Sequence, residues 1–212
     1  MSSATHAACE RLLLQLQGSA PDHRPENLRI GATLAGKTDP RLLALVPPIT
    51  RQAAVLIGLR EPLDDPGILL TVRAGHLRAH AGQISFPGGA VDSADRSVEA
   101  SALREACEEV GLQSSQAQVV GFLPDQLVLT GFRITPVVAK LAADFMPRAA
   151  DDEVQEAFLM PLSVLLDPAN HVHNRRQIGG LEFEVRDLQY GAHLIWGATA
   201  GMLFALYEMA RS

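Results

Sequence analysis

A mixed α/β (α+β) fold, in which a mixed β-sheet is sandwiched between helices, is what this sequence predicts, and three observations predict it. Short β-branched runs at residues 53–59, 68–72, 119–123 and 134–141 are bounded by turn residues, the pattern of strands. One uninterrupted stretch, residues 97–110, carries apolar side chains at Val98, Ala102, Ala106 and Val110, the spacing of a helix. A long apolar segment then closes the chain. Strand and helix do not alternate regularly, which excludes a doubly wound parallel sheet. With 47% hydrophobic and 20% charged residues, the 212-residue chain can bury a core and is neither disordered nor low in complexity.

Taken in order, residues 5–17 read as a short amphipathic helix, and residues 18–48 as a polar, proline-punctuated connection with a helical turn around residues 42–45. The chain therefore divides into an N-terminal helix and connection, 1–48, and a compact domain, 49–212, that includes the C-terminal helix. The strands at 53–59 and 68–72 are separated by a Pro/Asp/Gly turn. Asp95 or Ser97 caps the central helix and Gly111 ends it. Two strands follow, then a mixed segment at 154–166. Gly179, Gly180 and the alternation over 181–185 suggest a hairpin, and residues 195–211 form the last helix. No period of about 20–50 residues repeats, so solenoids and propellers are excluded.

The formal net charge is -6, from 18 Lys+Arg against 24 Asp+Glu, and no basic run interrupts it. Nucleic acid is thereby excluded as a partner, since binding needs a basic stripe to displace counterions. An anionic small molecule is not excluded, because local arginines and a metal reverse the local field. Cys9 and Cys107 sit in no CxxC or Cys/His cluster, which speaks against zinc and disulfides and for a reducing compartment, the cytoplasm. The N-terminus lacks a basic region followed by an apolar one, and its Ser/Ala-rich start carries Glu10 and Arg11, so neither a secretory nor a transit peptide is expected. Residues 188–207 carry no formal charge and have about the length of a membrane span. They also hold Gln189, His193, Gly191, Gly197 and Gly201, so no membrane segment is expected. The reading is a buried helix that packs on the core or on a second copy of the chain, as in a homodimer. Gly197 and Gly201, four apart, would let another helix approach closely.

The chemistry lies in the central helix. Glu105, Glu108 and Glu109, at i, i+3 and i+4, fall within an arc of roughly 100° on one side. Like charges at these spacings destabilise a helix by a few tenths of a kcal/mol per pair. Glu109 moreover projects close to the direction of Ala102 and Ala106, toward the packed side. A solvated acidic face beside Arg104 is the bland reading. The alternative is a hard divalent ion, magnesium or manganese, which takes oxygen ligands and bridges to phosphates. Context favours the ion, since FPGGAVDSAD, residues 86–95, feeds a glycine-rich turn directly into the acidic helix.

Read whole, residues 88–112 are GGAVDSADRSVEASALREACEEVGL, which resembles the box of the Nudix hydrolase superfamily. Arg104, Glu105, Glu108, Glu109, Gly111 and Leu112 match its REUxEExGU half, and only Ala106 is smaller than usual. In the generic box an acidic residue stands six after the glycine and eight before the arginine; here Asp95 is six after Gly89 and nine before Arg104. The preceding LLTVRAGHLRAHAGQISFPGG, residues 69–89, is similar to the signature of the coenzyme A pyrophosphatase branch, where that longer box with aspartate is usual. Weaker likeness continues through TGFRITPVV (130–138), DEVQEAFLMPL (152–162) and IWGATA (195–200).

The resemblance implies a Nudix-type sandwich and a metal-dependent hydrolase that cuts the diphosphate of coenzyme A, or a CoA derivative, to 4'-phosphopantetheine and adenosine 3',5'-bisphosphate. It implies Glu105, Glu108, Glu109 and the carbonyl of Gly89 as ligands of Mg2+ or Mn2+. Glu105 and Glu109 are catalytic, with Glu153 as the general base and Glu156 its alternative, facing the same way if that segment is helical. Arg104 orients the glutamates by bidentate bonds. Arg73, Arg78, His80 and Gln83 bind the nucleotide. Two other functions stay open: a pyrophosphatase for ADP-ribose, dinucleotides or noncanonical nucleotides, and a ligand-binding regulator without turnover.

Overall fold

The computed structural model describes residues 2–24, 27–31, 39–49, 51–77, 80–149 and 152–212. In chain order its elements are α1 (Ser2–Leu16), β1 (Arg29–Ile30), α2 (Pro40–Leu43), β2 (Arg51–Arg60), β3 (Gly67–Arg73), β4 (Ile84–Ser85), β5 (Gly88–Ala90), α3 (Val98–Val110), β6 (Ala117–Phe122), β7 (Gln126–Leu127), β8 (Phe132–Leu141), β9 (Val154–Pro161), α4 (Leu162–Leu166), β10 (His171–Ile178), β11 (Leu181–Tyr190), β12 (His193–Ile195) and α5 (Gly197–Arg211). Among the described residues the main sheet runs β1-β7-β8-β2-β3-β4, with β5 on β2, β6 on β8 and β9 on β3, and β10-β11-β12 form a second sheet. The predicted mixed α/β sandwich is thus the observed one.

Two apolar layers enclose the main sheet. Ala102, Ala106 and Val110 of α3 pack on Ala54, Leu56, Val137 and Ala139, while Leu203, Leu206 and Ala210 of α5 pack on the other side with Ile57, Leu70, Val138 and Met160. This division follows from the two-residue period of β2 and β8, which sends successive side chains to opposite faces. The parallel pairing of β2 with β8 is continuous from Arg51↔Phe132 to Arg60↔Leu141. On its other edge β2 touches β3 only at Leu59↔Ile68 and Arg60↔Gly67. Beyond that the two strands part: β5 takes Ala53 to Val55 of β2, whereas β4 and β9 pair with β3. The parting separates β5, on β2, from β4 and β9, on β3, at one end of the sheet.

The hairpin forms with Gly179 and Gly180 at φ 57° and 79°, left-handed backbone that favours glycine, between β10 and β11. The mixed segment resolves into β9 and the short α4. The last helix begins at Gly197, and residues 193–195 are a strand instead. Its exposed side is covered from within the chain: Arg11 Nε and Gln15 Nε2 of α1 donate to the carbonyls of Ala210 and Met209, each at 3.0 Å, and Cys9, Leu12 and Leu16 are buried beside it. Burial pushes the Cys9 thiol up to about 11. The expectation that Gly197 and Gly201 admit another helix is corrected: a Cβ on Gly201 would lie 2.7 Å from the Gly31 carbonyl oxygen, so a loop fills that approach, and Gly197 has open space. Among the described residues no helix is long and apolar enough to cross a membrane.

Candidate active site

Helix α3 is built to hold carboxylates against β5. Ser97, rather than Asp95, is its cap, with Oγ accepting from the Ala100 N–H at 3.2 Å. Gly111 ends it at φ 72°, donating to the Cys107 carbonyl at 3.1 Å. Because Ala102, Ala106 and Val110 face the core, Glu109 is drawn inward to 5% exposure, as its spacing from the two alanines predicts. Glu105 is 18% exposed on its side chain and Glu108 55%, so the three carboxylates grade from core to solvent.

Across from them lies β5. Ladder bonds from Leu56 N–H to the Pro87 carbonyl and from Val91 N–H to the Gln52 carbonyl make Ala54 and Gly89 a hydrogen-bonded pair, and Val55 and Gly88 a non-bonded one. The Gly88 N–H therefore points away from β2, and it donates to Glu109 Oε2 at 3.3 Å. The Gly89 carbonyl shares one lone pair with the ladder and keeps the other. A Cβ at Gly89 would sit 2.5 Å from Glu105 Cδ and 2.8 Å from Oε2, so only glycine leaves room for that carboxylate.

Arg104 ties this wall together, though not as predicted. Its bidentate partner is Asp95, with Nε to Oδ1 at 3.1 Å and Nη2 to Oδ2 at 3.0 Å, and the glutamates receive single bonds. Nη1 donates to Glu105 Oε1 at 2.9 Å and Glu108 Oε2 at 3.2 Å, and Nη2 also reaches the Ala90 carbonyl at 3.4 Å. The Arg104 hydrogen bonds hold the Asp95 carboxyl down at about 2. Asp95, displaced by one position from the generic box, thus still meets the arginine. Glu105 is raised from its ordinary value, first by burial and then by the nearby Glu108 and Glu153, against the lowering contacts from Arg104.

The opposite wall comes from β3 and the start of β9. Arg73 Nη2 donates to Glu153 Oε2 at 3.3 Å, and Ala74 N–H to the Glu153 carbonyl at 2.7 Å. Glu153 is close enough to Glu105 for their charges to interact, so the structure brings these two predicted residues together. Glu156 is a correction: the segment is strand, not helix. In β9 Ala157 and Leu159 pack on the α3 side and Phe158 and Met160 on the α5 side, and alternation gives Glu156 the α5 side, away from the box. His80, at φ 60°, donates from Nδ1 to Gln83 Oε1 at 2.8 Å, so these two meet each other at the surface. Arg78 lies outside the described residues.

Among the described residues, no three His, Cys, Asp or Glu side chains converge into a finished metal cage. The donor chemistry nevertheless fits an oxygen-seeking divalent ion. Two carboxylates one turn apart, the nearly buried Glu109 and the desolvated Glu105, lie beside a glycine carbonyl with a spare lone pair. The Gly88 amide, absent from the sequence-derived set, is a backbone donor that carries no side-chain signal.

A glycine turn seated on a carboxylate helix, with an arginine and a further glutamate nearby, is the kind of donor set that suits a divalent ion and a phosphoanhydride. The NUDIX domain family model matches residues 50–179. The chain is 44% identical over 153 residues to "Uncharacterized Nudix hydrolase NudL" of Enterobacter sp. (strain 638), covering 72% of this chain and 79% of that protein. A protein of the same name from Escherichia coli O157:H7 (strain EC4115 / EHEC) is 46% identical over 154 residues, with the same 72% and 79% coverage. Among solved structures, the Nudix hydrolase RenU from M. smegmatis aligns with a TM-score of 0.46 and 25% identity over 53% of this chain and 71% of that one. This chain belongs to the NUDIX domain family and is a Nudix hydrolase. Enzymes of the family generally use divalent metal ions and small nucleotide substrates.

Proposed function

We propose that this enzyme hydrolyses the diphosphate of coenzyme A, or of a CoA derivative, to 4'-phosphopantetheine and adenosine 3',5'-bisphosphate, in the reducing cytoplasm and with Mg2+ or Mn2+. One observation carries the reading: the segment with the likeness to the CoA branch, residues 69–89, supplies Arg73 on the wall facing the box and ends at Gly89, against Glu105. β3 enters a loop closed by Arg73 N–H to the Gln83 carbonyl at 2.9 Å and Gly82 N–H to the Arg73 carbonyl at 3.0 Å. The chain then runs through β4 to Gly89, against Glu105. This continuity supports a reading in which the segment that selects the substrate leads straight into the residues that cut it.

A phosphoanhydride resists water because its negative oxygens repel a nucleophile, so a catalyst has to neutralise charge and align water. Glu105, Glu108, Glu109 and the Gly89 carbonyl would hold the divalent ion, which supplies positive charge at the diphosphate and acidifies bound water. Arg104 keeps Glu105 and Glu108 in register, and Asp95 keeps Arg104. Glu153, whose exposed carboxylate is held by Arg73, takes the proton of the attacking water. Arg73, Arg78 and His80, the last steadied by Gln83, contact phosphate oxygens. Glu153 occupies one of the five donors of Arg73 and leaves others for substrate.

Coenzyme A differs from ADP-ribose and NADH by a 3'-phosphate and the pantetheine arm. A charge-assisted contact to that phosphate contributes roughly 1.5–3 kcal/mol, or about 10- to 150-fold in kcat/KM. Assayed in parallel, CoA should exceed dephospho-CoA by about that factor, and Arg78→Ala should narrow the gap. A higher kcat/KM for ADP-ribose or NADH than for CoA would remove the CoA assignment and leave a Nudix pyrophosphatase of another nucleotide.

A further inference from the structure

The Arg73–Glu153 contact joins a residue assigned to the substrate with one assigned to the water, and the local backbone shows which way the dependence runs. Glu153 precedes β9, and its side chain is 57% exposed, against 26% for Arg73. Arg73 is the fixed partner: its N–H and C=O are both bonded across the loop, to Gln83 and Gly82. A β-bulge between Val72 and Arg73 lets the pairing of β3 with β9 skip a residue, from Val72↔Glu156 to Arg73↔Val154. The next residue, Ala74, holds the Glu153 carbonyl from the same dipeptide. Arg73 and Ala74 thus grip Glu153 by side chain and main chain together.

We propose that Arg73 is the positioning residue for Glu153, fixing the rotamer of its carboxylate while other guanidinium donors take a substrate oxygen. Losing it removes a charge-assisted hydrogen bond at 3.3 Å from a half-exposed carboxylate and widens the range of rotamers open to it. A guanidinium suits the task because one planar fork orients two anions at once, whereas a lysine is a point charge. Catalysis and substrate binding would then be coupled through one side chain: a phosphate drawn onto Arg73 arrives beside a base already aimed.

This inference rests on Glu153 being the base, and the test separates the two. The variants are Arg73→Gln, Arg73→Lys, Glu153→Gln and Arg73→Gln/Glu153→Gln, assayed with whichever of CoA, ADP-ribose and NADH the wild type turns over fastest. Thermal unfolding checks each fold. Misplacing a reacting group by about 1 Å costs on the order of 10²-fold, so Arg73→Gln should lower kcat roughly 10- to 100-fold at saturating substrate, besides raising KM. In the Glu153→Gln background the same change should leave kcat within about 3-fold while KM still rises, and Arg73→Lys should restore part of kcat but less of KM. Additive kcat losses, or an Arg73→Gln effect confined to KM, would overturn the positioning role and leave Glu153 as base. An unchanged kcat in Glu153→Gln would overturn both.

Discussion

Replacing Gly89 by alanine should lower activity while sparing stability, whereas replacing its neighbour Gly88 should lower stability. A methyl on Gly89 would lie 2.5 Å from Glu105 Cδ, so the carboxylate has to retreat by about 1 Å to reach ordinary contact. Glu105 can do so, since the atoms that clash are the far end of a flexible side chain. The backbone of β5 is not disturbed, and the unfolding midpoint should fall by no more than about 2 °C. A shift of about 1 Å at a group that organises the reacting charge costs on the order of 10²-fold in kcat/KM. At Gly88 the methyl would meet Val55 Cα at 2.6 Å, main chain that cannot yield while β2 and β5 stay paired. Overpacking of this kind costs about 1–3 kcal/mol, roughly 2–12 °C in a chain of this size. Both variants would be measured for kcat/KM and thermal midpoint together. Gly89→Ala with more than half of wild-type activity, or a larger midpoint loss for Gly89→Ala than for Gly88→Ala, would refute the idea that Glu105 works where it stands.

Three further outcomes follow from the geometry. Glu153→Gln should depress kcat by roughly 10²–10⁴-fold, whereas Glu156→Gln, on the α5 side of β9, should change it little; a reversed pattern in steady-state kinetics would return the base to Glu156. The Asp95 carboxyl is held at about 2 against an ordinary 3.8, so its pairing with Arg104 adds stability above about pH 4 that is lost as the pH falls through about 2. The midpoint difference between wild type and Asp95→Asn should accordingly shrink across that window, and a constant difference would contradict it. Ser97→Ala removes the α3 cap and should cost about 1 kcal/mol, read as a midpoint shift of roughly 2–4 °C, with kcat retained.

Much of this was legible before any coordinates, for a physical reason: local periodicity writes itself into sequence. The α3 helix, its glycine stop and the inward lean of Glu109 all follow from side chains one turn apart. The carboxylate cluster was likewise visible, because repelling charges at i, i+3 and i+4 demand an explanation. The strands of two or three residues, β1, β4, β5, β7 and β12, are too short to show a period. Their positions are set by partners far along the chain, such as Ala54 opposite Gly89. The Arg73–Glu153 contact spans 80 residues and depends on a bulge, which no spacing announces. The segment at 154–166 reads only as mixed, and a helix there would have given Glu156 the same face as Glu153; as strand, the two-residue period sends Glu156 to the α5 side. Gly201 failed for a similar reason, since its spacing from Gly197 says that something comes close but not that it is the Gly31 loop.

The claim at the centre of this account is that Glu105 and Glu109, with a divalent ion, cut a diphosphate, and that the diphosphate is that of coenzyme A. Product analysis by liquid chromatography and mass spectrometry, on purified wild type and Glu105→Gln/Glu109→Gln with CoA, Mg2+ or Mn2+, and with or without chelator, tests it most directly. The account predicts equal amounts of 4'-phosphopantetheine and adenosine 3',5'-bisphosphate from the wild type, none above background in chelator, and a loss on the order of 10²-fold or more in the double variant. Undiminished turnover in chelator or in the double variant would contradict the site, and release of phosphate or of free thiol fragments without those two products would contradict the reaction.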